Sequence, residues 1–388
     1  LIEAVLMARD AEFFALLDAR MDGVSGREAR LRALLDGFAD WFGRSDFYGC
    51  NFINASAEFS DARHPVRKLV VAHKLALLNW VREALECTVE QATGLCLLLE
   101  GAVVMAHSYQ SPEIFHGVAD VTGDSLALAQ AAAECDADVV VLCGVHFMAE
   151  TAKILAPKVK VLIPDPLAGC SLADSITAAD VRLLRARHPG APVVTYVNTS
   201  AEVKAESDAC CTSANAVQVV EAMGADKVIF LPDRYLGAHV ASQTNVQLVL
   251  WDGRCEVHET FTAAQARHAR ERFDARLVAH PECPPEVLAE ADFVGSTSAM
   301  GAWLEREQPE RVALITECSM ADNLRLRFPA TEFIKPCNLC PHMKRITLPN
   351  IHACLRDLAP EVTVPEDVAV RARRALERML AVGRGERV

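Results

Sequence analysis

The sequence predicts an α/β protein in which three copies of one strand-and-helix unit surround a single central site, behind an all-α amino-terminal segment. Three observations carry that prediction. Residues 1–100 place apolar positions at three-to-four spacing, the helical period. From about Gly101 the pattern changes to short β-branched runs closed by Gly, Pro, Asp or Ser and followed by helical stretches, the grammar of parallel α/β units. Within that second region Cys170, Cys255 and Cys340 stand 85 residues apart and 85 again, each after a strand-like run.

Composition agrees. With 388 residues, 51% apolar and 23% charged, the chain is neither disordered nor fibrous. At roughly 100–200 residues per domain it holds two to four domains. A net charge of −13 has the wrong sign for a protein that binds a nucleic-acid backbone, so no nucleic-acid partner is expected. No run reaches the roughly 20 apolar residues of a membrane span, since Glu100 interrupts Leu95–Ala106. Leu1–Asp22 mixes acids and bases at helical spacing and does not resemble a signal peptide. A cytoplasmic protein without a membrane partner is expected, with room for an upstream piece because the chain begins at Leu1. Fourteen Cys in a reducing compartment point to buried thiols, metal ligands or redox chemistry rather than a disulfide framework.

Taken in order, helices are expected over Ala4–Met21, Arg27–Phe42, Val66–Leu85 and Val89–Leu99, with an aromatic, Asn-containing loop at Asp46–Pro65. The junction is contested. Leu95–Ala106 reads as an apolar helix, whereas Ala102–Ala106 is needed as the first strand; strand wins from Ala102, because His107 and Tyr109 must stand at a strand end to reach the site. Further strands are expected at Val139–Leu142, Val159–Ile163, Val193–Val197, Val228–Leu231, Leu248–Trp251, Leu277–Ala279, Phe293–Gly295, Val312–Ile315 and Glu332–Ile334. The first strand of each copy ends in His107-Ser-Tyr109, Tyr196-Val-Asn198 or His280-Pro-Glu282. The second ends in Gly144-Val-His146-Phe147, Cys211-Thr212-Ser213 or Gly295-Ser-Thr297. Ligands bind at the carboxyl ends of strands in open α/β sheets, so these ends converge on one site.

Three thiolates at one point suggest a particular chemistry. A structural zinc site closes with four protein ligands, and a fourth is not evident here. Three cysteines on a cubane 4Fe-4S cluster leave one iron without a protein ligand, a Lewis acid suited to dehydration. Three buried thiols are the plain alternative; a zinc hydrolase with Cys and His ligands and a ligand-responsive regulator or binding module are two others. Ser125, Thr212-Ser213 and Ser296-Thr297 stand at the starts of helical stretches, where backbone N–H groups favour anions and where N-capping competes as an explanation.

The motifs Ala106-His-Ser-Tyr-Gln110, Gly123-Asp-Ser125, Gly144-Val-His-Phe-Met-Ala-Glu-Thr-Ala-Lys153, Tyr196-Val-Asn198, Thr212-Ser-Ala-Asn-Ala216, Cys255-Glu-Val-His258, His280-Pro-Glu-Cys283, Gly295-Ser-Thr297 and Cys340-Pro-His-Met-Lys344 occur in order. With them, residues from His107 to about Leu380 resemble the quinolinate synthase family. The resemblance implies three pseudo-symmetric, three-layer αβα domains around a pseudo-threefold axis. It implies a 4Fe-4S cluster on Cys170, Cys255 and Cys340, and condensation of iminoaspartate with dihydroxyacetone phosphate to quinolinate, phosphate and water in NAD biosynthesis. L-aspartate oxidase is the implied functional partner. Cys337, in the pair Cys337-Asn-Leu-Cys340, competes for the third ligand position or for a redox disulfide; Cys340 is preferred because it stands three residues before Met343-Lys344.

That chemistry needs acids and bases within reach of several substrate atoms. Glu282 is the expected general base, with Tyr109 and His107 as proton shuttles and His280 beside them. Tyr196, Asn198 and His258 are expected to bind substrate; Ser125, Ser213 and Thr297 to contact it; Phe147 to close the cavity. Cys143, Cys210, Cys211, Cys283, Cys318 and Cys354 read as small buried residues. Position 108 is Ser where the family has Asn, which is expected to weaken substrate orientation. At the amino terminus, Asp40-Trp-Phe-Gly-Arg-Ser-Asp-Phe-Tyr-Gly-Cys-Asn-Phe-Ile-Asn-Ala55 with His64-Pro-Val66 resembles the ligand-binding and dimerisation domain of TetR-type regulators, without the helix-turn-helix that reads DNA. A homodimer through residues 1–100 is the expectation, with the αβα domains at 101–178 plus 341–388, 179–262 and 263–340.

Overall fold

The structure is a computed structural model that describes residues 2–44, 64–89, 102–135, 137 and 139–386, with the single positions 52, 55 and 92. The chain divides into two compact units, Leu1–Val104 with His116–Asp120, and Met105–Phe115 with Val121–Val388.

The first unit is helical where the periodicity predicts it: Ile2–Met21, Arg27–Phe42 and Pro65–Ala84. His64 caps the third helix by accepting the Val66 N–H, and Pro65 occupies the first turn, where its missing N–H costs nothing. The faces these helices share bury Leu17, Leu34, Leu77 and Val81 around Phe13, which meets Phe38 and Trp41 edge-to-face at 5.3 and 5.2 Å. The loop Asp46–Pro65, the helix Val89–Leu99 and the approach to the first strand fall largely outside the described residues.

From Ala102 onward the chain forms three four-stranded sheets with one repeated strand order, and every strand pair whose register is given runs parallel. The first sheet comprises β1 (Ala102–His107), β2 (Val121–Gly123), β3 (Val139–Cys143) and β4 (Lys160–Leu162), ordered β2-β1-β3-β4. The second comprises β5 (Val193–Tyr196), β6 (Ala209–Cys211), β7 (Lys227–Leu231) and β8 (Gln247–Leu250), ordered β6-β5-β7-β8. The third comprises β9 (Arg276–Ala279), β10 (Phe293–Val294), β11 (Arg311–Ile315) and β12 (Glu332–Ile334), ordered β10-β9-β11-β12. Helices flank each sheet, so the central strands are buried on both faces, as all of β5 is, and can read as unbroken apolar runs, such as Val-Ile-Phe-Leu in β7.

One polar device recurs in all three sheets. The residue before the second strand is Asp, and its carboxylate accepts the N–H near the start of the first: Asp120 from Val104 at 2.8 Å, Asp208 from Val193 at 2.7 Å, Asp292 from Leu277 at 2.7 Å. The strand start at Ala102 stands as expected. Two strands were not legible. β2 is a partly exposed edge strand of three residues, and β6 is Ala-Cys-Cys, with no β-branched side chain. Missing β2 shifts the phase of the first copy. Gly144-Val-His146-Phe147 closes β3, the third strand, so the equivalent of Cys211-Thr212-Ser213 and Gly295-Ser-Thr297 is Gly123-Asp124-Ser125.

Beyond the third sheet, helix Leu348–Asp357 lies against β3, and helix Glu366–Gly383 packs on Ala201–Ala205, β6 and His146–Leu155. Its buried stripe is Ala372, Ala375, Leu376 and Met379, whose small residues permit close approach. Among the described residues no helix is long and apolar enough to cross a membrane.

Candidate active site

The carboxyl ends of the strands open into one cavity within the second unit. Cys170, Cys255 and Cys340 all line it, from the loops that follow β4, β8 and β12, the fourth strands of the three sheets. Those loops are tied down. The bridge between Asp233 and Gly253 extends β7 toward Cys255, and Gly253 lies so close that a Cβ there would sit 2.4 Å from the Pro232 carbonyl oxygen. The bridge between Glu317 and Asn338 does the same for β11 and Cys340, whose N–H is accepted by Glu317 at 3.3 Å.

Burial pushes the Cys170 thiol up to about 12 and raises those of Cys255 and Cys340. Thiols so disposed stay protonated until a cation replaces the proton, which is the chemistry of metal ligands rather than of a free nucleophile. Cys337 is bonded to Cys318 across a Cα separation of 5.1 Å, so it neither pairs with Cys340 nor competes with it, and Cys318 is not merely a small buried residue. The cause is proximity: Cys318 opens the helix after β11 and donates its N–H to the Asn338 carbonyl beside Cys337.

Glu282, only 3% exposed, is the polar hub. Tyr196 donates its hydroxyl to Oε1 at 2.6 Å and His258 Nδ1 lies 2.8 Å from Oε2. Burial alone would raise the Glu282 carboxyl, but His280, His258 and the two hydrogen bonds outweigh it and hold the group well below the usual range. Burial depresses His280 to about 3 and His107 to about 4, so both are neutral imidazoles at neutral pH. The hydrogen bonds from His258 and Tyr196 therefore remain as the stabilisers of the anion. Burial, with Glu282 nearby, raises both Tyr109 and Tyr196, which stay protonated. His258 stacks on His280 at 4.7 Å.

The other predicted residues are gathered here too. His107, Tyr109, His280, Phe147, Asn198, Ser125, Ser213 and Thr297 all face the cavity. Helix capping falls to Asp124 and Ser296, leaving Ser125 and Thr297 as first helical residues on the lining. Ser213 Oγ lies 3.4 Å from His280 Nε2. Asn198 Oδ1 is shielded and accepts no hydrogen bond within the structure, an acceptor left for a bound molecule. Ser108 is not among the residues lining the cavity, and its carbonyl accepts from Asn323 Nδ2 at 3.0 Å.

Sequence reasoning missed Thr316, Glu317, Asn323 and Lys344. Asn323 also donates to the Gln110 carbonyl at 2.9 Å, and Lys344 Nζ to the Tyr109 carbonyl at 2.6 Å, so three consecutive carbonyls around Tyr109 are held from distant parts of the chain. Thr316 and Glu317 follow β11, and only the correct strand phase would have marked that position.

The donor set suits a thiolate-bound cofactor: three buried thiols from equivalent loops face one space. Cys255, His258 and Glu282 further place one ligand atom each within 4.8 Å of one another, a grouping with no counterpart among the other described residues. Among the described residues no Lys or Arg lines the cavity, whose cationic candidates are histidines.

The family model described as quinolinate synthetase A protein (NadA) matches residues 97–381. Quinolinate synthase 2 of Mesorhizobium japonicum is 64% identical over 282 residues, covering 72% of this chain and 87% of the relative. The quinolinate synthases of Agrobacterium fabrum and Xylella fastidiosa are 62% and 61% identical over the same length, covering 82% and 83% of those proteins and 72% of this one. With three similar sheets around a thiol-lined cavity and relatives this close over most of their length, the chain belongs to the quinolinate synthase family and is an enzyme of that kind.

Proposed function

We propose that the chain condenses iminoaspartate with dihydroxyacetone phosphate to give quinolinate, phosphate and water, as a step of NAD biosynthesis. The observation that carries this reading is that Cys170, Cys255 and Cys340, one from each sheet's fourth-strand loop, line the same cavity as Glu282. They are the residues that would hold a 4Fe-4S cluster. Bound there, the cluster supplies an iron without a protein ligand, a Lewis acid for a substrate hydroxyl or carboxylate.

The chain's own groups divide the remaining work. Glu282, anionic and oriented by Tyr196 and His258, takes a proton next to the carbonyl or imine carbon. Tyr109 and His107, in edge contact at 4.7 Å, move protons, with His280 beside Glu282. Asn198 Oδ1 accepts from the imine or hydroxyl, and Tyr196 and His258 orient the diacid. Ser125 and Thr297 contact the phosphate at helix starts, and Ser213 contacts it from the turn before the helix Ala216–Ala222. Among the described residues no Lys or Arg lines the cavity, so in this reading hydroxyl and backbone N–H donors hold the phosphate. Phe147 excludes water.

In this reading L-aspartate oxidase supplies the imine in the same cytoplasmic compartment. Residues 1–100 form a regulator-like helical module through which a homodimer assembles, and the three αβα domains divide near residues 178, 262 and 340. Assay of the anaerobically reconstituted protein tests the proposal. Quinolinate forms from the two substrates in wild type and not in Cys170→Ser; a reconstituted, folded wild type that forms none removes the assignment.

A further inference from the structure

Each of the three cysteine loops is fixed to its own sheet in the same way. The residue that opens the helix after the third strand donates its N–H to the carbonyl two residues before the cysteine. His146 donates to Ala168 at 2.7 Å, Arg234 to Gly253 at 3.0 Å and Cys318 to Asn338 at 3.1 Å. Each sulfur then accepts the N–H groups two and three residues further on: Leu172 and Ala173 at Cys170, Val257 and His258 at Cys255, His342 and Met343 at Cys340. These bonds hold each thiol within its own turn, and none of them relates one thiol to another.

The residue after the cysteine supplies that relation, and it differs among the loops. Ser171 Oγ donates to the Arg254 carbonyl at 3.2 Å and accepts the Glu256 N–H at 3.1 Å. One hydroxyl beside Cys170 thus grips the chain on both sides of Cys255. Glu256, in the same position after Cys255, reaches the third loop through its side chain, with Oε1 2.9 Å from His342 Nε2. The position after Cys340 is Pro341, which has no N–H to give and no polar side chain. The third loop meets the first through Arg345 and Asp165 instead, at 2.9 Å. Both contacts to the third loop join partly exposed side chains, where water and salt compete. The Ser171 bridge sets a short side chain against two backbone groups, so little freedom is lost in holding it.

We infer that Ser171 is a positioning residue that couples the Cys170 and Cys255 loops, so that these two thiols meet an iron-sulfur cluster as a fixed pair. The inference rests on the reading of the three cysteines as cluster ligands. Without the hydroxyl, each loop keeps the bonds to its own sheet and the N–H groups at its sulfur. The two turns then move independently, and one sulfur can leave iron while the other stays. Groups that orient metal ligands in this way typically account for 10–100-fold in metal affinity.

The test uses the full chain after anaerobic reconstitution and follows release of iron to a ferrous-iron chelator, which needs no turnover. Ser171→Ala is expected to release iron on the order of 10-fold faster than wild type. Ser171→Thr keeps the oxygen and should release it at close to the wild-type rate. Thr177→Ala is the control. Thr177 closes a capping box with Asp180 on the helix Ala178–Arg187, so its loss weakens the same stretch of chain and leaves the bridge intact. Its iron should be held as in wild type. A Ser171→Ala chain that holds iron as long as wild type overturns the coupling, as does a Ser171→Thr chain no better than Ser171→Ala. A Thr177→Ala chain that loses iron as fast as Ser171→Ala also overturns it, because the effect is then one of general stability. A folded wild type that takes up no iron removes the cluster reading and this inference together. The two failures are distinguishable, since the coupling fails by itself only in a wild type that holds iron.

Discussion

The Tyr196 hydroxyl reaches Glu282 Oε1 at 2.6 Å, joining the end of β5 to the segment after β9 inside the cavity wall. Two sheets with the same strand order thus share a single buried carboxylate, and His258 brings a third segment to its other oxygen. Glu282→Gln keeps the shape and removes the charge that orders these donors. Quinolinate formation is expected to fall on the order of 10²–10⁴-fold while the protein stays folded. Tyr196→Phe leaves Glu282 charged with one donor fewer and should cost about 1.5–3 kcal/mol of stability in urea unfolding.

His107 and His280 are buried as neutral rings, depressed to about 4 and about 3, against about 6.5 in an unfolded chain. Between those values the unfolded state binds more protons than the folded one. The stability each contributes is therefore complete above about pH 6.5 and is lost as pH falls, toward about 4 for His107 and about 3 for His280. Melting temperature should drop over that window, and His107→Gln should flatten the slope; a slope unchanged by the variant would show that His107 does not titrate as described.

The Cys318–Cys337 bond closes a short loop, with a sequence separation of 19, that carries the segment leading to Cys340. Peptide mapping without reductant should find these two linked and Cys340 alkylated. Replacing the pair by serine should cost about 2–4 kcal/mol. Iron content should survive that change and be lost in Cys340→Ser, which separates a staple from a ligand.

Lys204 is fully buried, with its ammonium 5.4 Å from the centre of the Phe147 ring and donating to the Thr199 carbonyl. Burial lowers its basicity and raises the carboxyl of Glu150, while each opposes the shift of the other. Glu150 in turn accepts the Ala201 N–H at 3.0 Å, at the start of the helix that carries Lys204. Lys204→Met alone should cost about 3–5 kcal/mol, because it strands a buried carboxylate. Pairing it with Glu150→Gln should recover part of that loss, a coupling visible in a double-mutant cycle.

The periodic cysteines made the threefold repeat legible because the three sheets have the same order and nearly the same length, which fixes the spacing of their last loops. Strand ends such as Tyr196 and His280 were legible for the same reason. The weak edge strands were not: three residues at β2 and three at β6 carry too little pattern to be separated from a turn. That loss hid the position after the third strand, and with it Thr316 and Glu317. Lys344 and Asn323 act through carbonyls more than 200 residues away in the chain, a contact no local pattern encodes.

The most direct measurement is 57Fe Mössbauer spectroscopy of the anaerobically reconstituted protein with and without substrate. One iron should differ from the rest of its cluster and change on substrate addition, and the whole spectrum should vanish in Cys255→Ser. Absence of bound cluster iron in a folded wild type, or irons that all remain alike when substrate binds, would contradict the assignment.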